Sequence, residues 1–110
     1  AITPTVTPQA TNSDGIVFWE QINQDDTGAA IEVGRFDRGT IMFYGTWDSG
    51  SRTLQGSPDG TNYVTLNDIN GDAITASADG SFDFVTNMTY FKITTSAGTT
   101  EDVDVKLIYR

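Results

Sequence analysis

The sequence predicts an all-β domain, an antiparallel β-sandwich (jelly-roll-like or Ig-like) of about eight strands with an extended N-terminal arm. Three observations predict it. Apolar and polar residues alternate over short segments, as on a pleated surface with one buried face. Clusters of Gly, Asp, Asn and Ser interrupt those segments every 8–12 residues or so. No window places apolar residues at i, i+3, i+4 and i+7 over three turns, so no core helix is expected. At 110 residues the chain fits one core, since domains of about 100–150 residues usually hold one. Residues 1–15 read as the arm and residues 16–110 as the sandwich.

The arm is rich in Thr, Pro, Asn and Ser, and Pro4 and Pro8 favour extended backbone. It lies either along its own sheet as an edge strand or on a neighbouring chain. Residues 16–23 read as the first strand, with Ile16 and Phe18 on one face and Val17 and Trp19 on the other. Apolar residues on both faces imply burial on both sides or contact with another chain. Gln24 to Gly28 form a loop. Residues 29–35 read as a strand with Ile31 and Val33 inward and Glu32 outward. After Asp37-Arg38-Gly39, residues 40–47 are again apolar on both faces: Ile41, Phe43 and Trp47 against Met42 and Tyr44.

The strongest local signal is Ser57-Pro58-Asp59-Gly60. Pro58 presets φ for a type I turn, Asp59 suits the next position, and Gly60 accepts the left-handed conformation that follows. A hairpin should join residues 52–56, where Leu54 shares a face with Arg52 and Gly56, to residues 63–66. Asn70-Gly71 is a type I′ turn signal ahead of a weak strand of small residues, 73–78. Residues 81–85 alternate, with Phe82 and Phe84 in and Asp83 out. Residues 90–94 put Phe91 and Ile93 opposite Tyr90 and Lys92. Residues 102–110 put Val103, Val105, Leu107 and Tyr109 opposite Asp104 and Lys106.

Composition narrows the function classes. Fifteen acidic residues against six basic ones give a formal net charge of −9. Nucleic acid is an unexpected partner, because phosphate binding draws on clustered Lys and Arg, and anionic membranes are disfavoured likewise. There is no Cys and no His. Disulfides, thiolate metal sites, the commonest general base and the commonest zinc ligand are therefore missing. No stretch approaches a membrane-spanning helix. The N-terminus lacks the basic start and apolar run of a signal peptide, and an initial Ala is what methionine removal leaves, so a complete cytoplasmic product is expected.

Two constellations have chemical potential. Asp68, Asn70, Asp72 and Asp79 fall at positions 1, 3, 5 and 12 of a calcium loop. Ala73 stands where that loop needs Gly, and the flanks are strand-like, so the plainer reading is a hairpin turn with solvated carboxylates. Paired acids hydrolyse glycosides in some enzymes, but here the acids sit in turns or at outward positions, as solubility alone would place them. A Ser or Thr nucleophile would lack its usual base. No catalytic residue, no cofactor and no enzymatic activity are expected. The Asn87-Met88-Thr89 triplet fits a glycosylation sequon with nothing to indicate secretion. Trp19, Trp47, Tyr44, Tyr63 and Tyr90 would suit a sugar-stacking platform, a core or a subunit interface, and core or interface is favoured for the two Trp. Ile2, Val6, Trp19, Met42, Tyr44 and Trp47 are the interface candidates.

Gly45-Thr46-Trp47, Thr53 through Gly60 and Tyr63-Val64-Thr65-Leu66 together form a pattern. With Tyr90-Phe91-Lys92-Ile93 and the closing Asp102 through Leu107, it resembles small β-rich proteins encoded in tailed-phage structural gene clusters. The resemblance spans about residues 17–110; the aromatic-rich 16–22 segment and the arm have no counterpart in it. It implies a virion structural protein without catalysis. The first expectation is a head decoration protein on the capsid exterior, made in the host cytoplasm. Its partners would be the major capsid protein and copies of itself, as a trimer. The alternatives are a head-fibre, tail or connector module, or a carbohydrate-binding module.

Overall fold

A computed structural model describes residues 2–8, 15–24, 26–33, 37–96 and 98–109. The described residues form ten strands. They are β1 (Thr5–Pro8), β2 (Gly15–Asn23), β3 (Gly28–Glu32), β4 (Arg38–Thr46), β5 (Ser51–Ser57), β6 (Val64–Thr65), β7 (Thr75–Ala76), β8 (Gly80–Val85), β9 (Tyr90–Ser96) and β10 (Asp102–Tyr109). One sheet runs β1-β2-β10-β4-β8 and the other β3-β9-β5-β6, with β7 also on β5. Strand pairing is antiparallel throughout. From β2 to β5 and again from β7 to β10, each successive strand crosses to the opposite sheet. The long connections this leaves make the architecture a jelly roll, not an Ig-like sandwich.

The alternation read from the sequence builds the core. Val17, Trp19 and Ile22 of β2, Ile41 and Phe43 of β4, and Val103, Val105 and Leu107 of β10 are fully buried. Leu54 of β5 and Phe91 and Ile93 of β9 meet them from the other sheet. Each such side chain stabilises the fold by roughly 1.5–3 kcal/mol relative to exposure. Phe84 and Phe91 face one another across the sheets with ring centroids 6.3 Å apart. The Trp19 indole N–H donates to the Ala29 carbonyl at 2.9 Å, satisfying its one polar atom. A Cβ on Gly28 would lie 2.8 Å from both Trp19 Cδ1 and Ile93 Cβ, so the indole needs glycine there.

Strict alternation breaks once in β2. Trp19 and Ile22, three residues apart, are both buried. The register against β10 shifts between Val103 and Val105. Gln21 adopts φ of 58°, the left-handed conformation of a β-bulge. The Asp104 carboxylate accepts the Gln21 amide at 2.8 Å, which holds the bulge.

The hairpin between β5 and β6 forms as expected, with Gln55 opposite Thr65 and Gly56 opposite Val64. Gly60 has φ of 78°. Its loop is longer than a tight turn because side chains fill it. Ser57 Oγ accepts the amides of Asp59 and Gly60, and Asp59 Oδ1 accepts those of Thr61 and Asn62. At Asn70-Gly71 the expected type I′ turn does not form, because only Gly71 has a positive φ. The Gly71 amide donates to the Asp68 carbonyl at 3.0 Å, closing a type I turn with glycine at its end. The strand expected over 29–35 ends at Glu32, and residues 34–36 lie outside the described residues.

The arm lies on the domain itself. Thr5 through Pro8 pair with Phe18 through Gly15. Ile2 bridges to Gly28 at the edge of the second sheet. Its amide donates to Thr27 at 2.6 Å and its carbonyl accepts Ala29 at 2.8 Å. The segment thus straps the β1 edge of one sheet to the β3 edge of the other. Ala1 and residues 9–14 lie outside the described residues.

Candidate functional site

The calcium candidates do not converge. Asp68 Oδ1 accepts the amides of Asn70 and Asp72 at 2.8 and 3.0 Å, so it braces its own turn. Asp79 lies elsewhere, accepting the Gly45 amide at 3.0 Å and the Trp47 indole N–H at 2.9 Å. Among the described residues no three acidic side chains gather as metal ligands. The set Asp68, Asn70, Asp72 and Asp79 is therefore corrected: Asp68 braces the turn that carries Asn70 and Asp72, and Asp79 is held apart from them at the end of β4.

The interface candidates divide by position. Trp19 is fully buried and offers no surface, so the interface expectation for it is corrected. Ile2 is half-buried and packs on the domain's own core. Trp47 is also half-buried against the core, with its ring 5.7 Å from the Arg52 guanidinium. Val6 is 40% exposed on the edge strand. Met42 and Tyr44 lie on the outer face of the β1-β2-β10-β4-β8 sheet.

That outer face sets exposed and half-buried apolar side chains among polar ones. In one row Phe18, Lys106, Met42 and Ser81 stand side by side on β2, β10, β4 and β8. The next row holds Ile16, Ile108, Thr40 and Asp83. Tyr44 stands beside Asp104 on the other side. Lys106 lies over the Phe18 ring at 5.0 Å, and Thr40 Oγ1 donates to Asp83 at 2.7 Å. Towards one end, Ile69, Val85 and Ile108 border a groove of about 470 Å³ with Arg38 and Asp83 at its sides.

The other outer face is of different character. Ser51, Thr53 and Gln55 of β5 pair with Ser96, Thr94 and Lys92 of β9. Thr75 stands beside Thr53, their hydroxyls 3.0 Å apart. At one end Lys92 lies 4.2 Å over the Tyr63 ring, and a hydrogen bond to Glu32 pushes the Tyr90 hydroxyl's pKa up. These two Tyr are therefore tied into side-chain contacts of their own face.

The feature missed from sequence is an ion pair. Arg52, on the inward face of β5, meets Glu101 at 2.9 Å with neither side chain exposed. Its second amino group donates to the Ile22 carbonyl at 2.8 Å. Glu101 Oε2 accepts the amides of Asp48 and Gly50 at 2.6 and 2.7 Å. Gln24 accepts the Glu101 amide at 3.0 Å. Burial pushes the Glu101 carboxyl up, but the Asp48 amide, the Arg52 guanidinium and the Gly50 amide outweigh it and hold its pKa below the usual value. One signal for this pair was legible: Arg52 shares a face with Leu54, and an inward charge in a core strand needs a buried counter-charge. Nothing in the chain order singled out Glu101. The pair's partners are the domain's own loop amides and the Ile22 carbonyl, and its chemistry is that of a clasp.

No protein-family model matches the chain, and no curated protein matches it. Solved structures share its fold. YomS, derived from the SPBc2 prophage, superposes with a TM-score of 0.68 at 10% identity, covering 93% of this chain and 99% of that one. An RmlC-like cupin protein from Desulfovibrio desulfuricans reaches 0.49 at 9% identity over 98% of this chain and 81% of its own. A cupin domain from Bordetella pertussis reaches 0.46 at 12% identity, covering 99% and 95%. The two cupin likenesses are too loose to carry an argument. The YomS likeness speaks for the fold.

Proposed function

We propose that this chain is a non-enzymatic structural protein of a tailed-bacteriophage virion, and that it decorates the outside of the head through contact with the major capsid protein. The observation that carries this reading is the end-to-end likeness of fold to a prophage-derived protein, 93% of one chain against 99% of the other. Two properties of the chain agree with it. A net charge of −9 suits an outer surface better than a lumen packed with DNA. The sandwich has no His or Cys to work as base, nucleophile or ligand, and among the described residues Asp59, Asp68, Asp79, Asp83, Asp104 and Glu101 are engaged by groups of the domain itself. In this reading the protein is made in the host cytoplasm and resides on the capsid exterior, with no nucleic acid or membrane as partner.

The test is to purify particles of the phage that encodes the chain, disrupt them, and follow the protein by mass spectrometry. Recovery with intact particles and then with heads, at a stoichiometry fixed to the major capsid protein, supports decoration. Recovery with tails or fibres moves the protein to a different virion part. Absence from particles, with glycan binding in its place, ends the virion reading.

A further inference from the structure

We propose that two copies of this chain pair through the outer faces of their β1-β2-β10-β4-β8 sheets. The strands run in opposite directions, about a two-fold axis that crosses them between the Lys106 and Asp104 positions. The two outer faces contrast. One carries Ser51, Thr53, Gln55, Thr75, Thr94 and Ser96, a hydroxyl-rich surface suited to water. The other carries Ile16, Phe18, Met42, Tyr44, Val85 and Ile108. Met42 is 44% exposed, Ile108 39% and Val85 71%. These apolar side chains, interspersed with Lys106, Asp104 and Thr40, lie on one side only and mark a contact surface.

The charges on that face identify a second copy as the occupant. Outward positions on β10 read Asp102, Asp104, Lys106 and Ile108, and Glu20 of β2 lies at the acidic end. Arg38 of β4 lies at the opposite end, across from Val85. The face is thus acidic at the Asp102–Asp104 end, carries Lys106 among apolar side chains in the middle, and holds Arg38 and Asp83 at the far end. An axis along the strands would set acid on acid. An axis across them that passes between the Lys106 and Asp104 rows lays Lys106 of each copy over Asp104 of the other, with the Ile108 row over the Asp102 row. Because Met42 pairs with Lys106 and Tyr44 with Asp104 in the sheet, the same axis lays Met42 on Tyr44, a favourable sulfur–aromatic contact.

The area is sufficient. Four strands about 4.8 Å apart and about eight residues long, rising ~3.3 Å per residue, present roughly 500 Å². Two such faces together reach the ~1,000 Å² that a specific interface needs, before the relief of the side chains is counted. Only a two-fold arrangement apposes one face with itself; a three-fold ring would set it against a different surface. The pairing is independent of the virion reading: a chain that is monomeric yet travels with heads would overturn the dimer alone.

Sedimentation velocity over a range of concentrations tests the pairing, with circular dichroism to establish that each variant folds. The wild type should be a dimer. Met42→Asp and Lys106→Glu should each raise the dissociation constant by about 100-fold or more, by burying a charge or setting like charges together. Adding Tyr44→Lys to Met42→Asp should restore the dimer, because the axis lays position 42 of each copy on position 44 of the other, and Thr65→Asp on the polar face should change nothing. A monomer at every concentration, a trimer, a dimer indifferent to Met42→Asp and Lys106→Glu, or a double variant no tighter than Met42→Asp would each overturn the proposal.

Discussion

Arg52 and Glu101 stand 49 positions apart in the chain and meet at 2.9 Å inside the protein. Between them they tie the start of β5, the end of β2, the β4–β5 loop and the approach to β10. The Glu101 carboxylate substitutes for a strand where the chain turns: it takes up two loop amides that would otherwise be buried without acceptors. Arg52 Nε has no hydrogen-bond partner among the described residues. The clasp is thus held by its amino groups and by the stacked Trp47 ring.

Breaking the clasp on one side should be costly. Arg52→Met and Glu101→Ala should each destabilise the domain by about 3–5 kcal/mol, since each leaves a buried charge unpaired. The double variant should lose clearly less than the sum, because neither charge then remains alone. Urea denaturation of the four proteins measures this coupling.

Acid should open the same clasp. The folded Glu101 pKa lies below its ordinary value of 4.5, so its contribution is complete above that value and is lost as pH falls through the folded pKa. Asp59 adds to the same trend, because the Asn62 and Thr61 amides and the Ser57 hydroxyl hold its carboxyl well below the usual range. Melting temperature should therefore fall steeply below about pH 4.5 in the wild type. The fall should be shallower in Glu101→Gln, as thermal melts across that range would reveal.

Two glycines separate backbone strain from crowding. Gly71 has φ of 86°, and a methyl group added there would meet nothing within 4 Å, whereas Gly45 has φ of 147° and a Cβ there would sit 2.2 Å from the Asp102 carbonyl oxygen. Gly71→Ala should cost only the left-handed penalty, about 1–2 kcal/mol. Gly45→Ala should cost more, since β4 must also move off β10. Comparing their denaturation midpoints tests the ranking.

Much of this architecture was legible because inward and outward positions alternate with the pleat. Val103, Val105 and Leu107, or Phe91 and Ile93, declare their side by spacing alone. The Ser57–Gly60 turn was legible because Pro and Gly fix local φ. What was not legible depends on contacts distant in sequence. The bulge at Gln21 is held by Asp104, 83 positions away. The fate of Trp19 was open because β2 is apolar on both faces; its place in the core rests on contacts outside the strand, with Gly28 and the Ala29 carbonyl. The calcium spacing misled because a ligand pattern and a turn-bracing Asp share the same residue types.

Removing residues 1–14 should destabilise the domain and promote association, since it strips Ile2 from the β3 edge and β1 from β2, leaving two open strand edges. Light scattering of the truncated and full chains at equal concentration would register the difference.

The turn at Asp68–Asp72 has a practical corollary. Its base is closed by the Asp68–Asp72 bond and by Asn67 opposite Ala73, and Ile69 anchors it to Asp83, while the tip at Asn70 and Gly71 points into open solvent. A foreign peptide spliced between those two residues would hang outside both layers without disturbing their pairing. That makes this corner a natural display position for an engineered epitope.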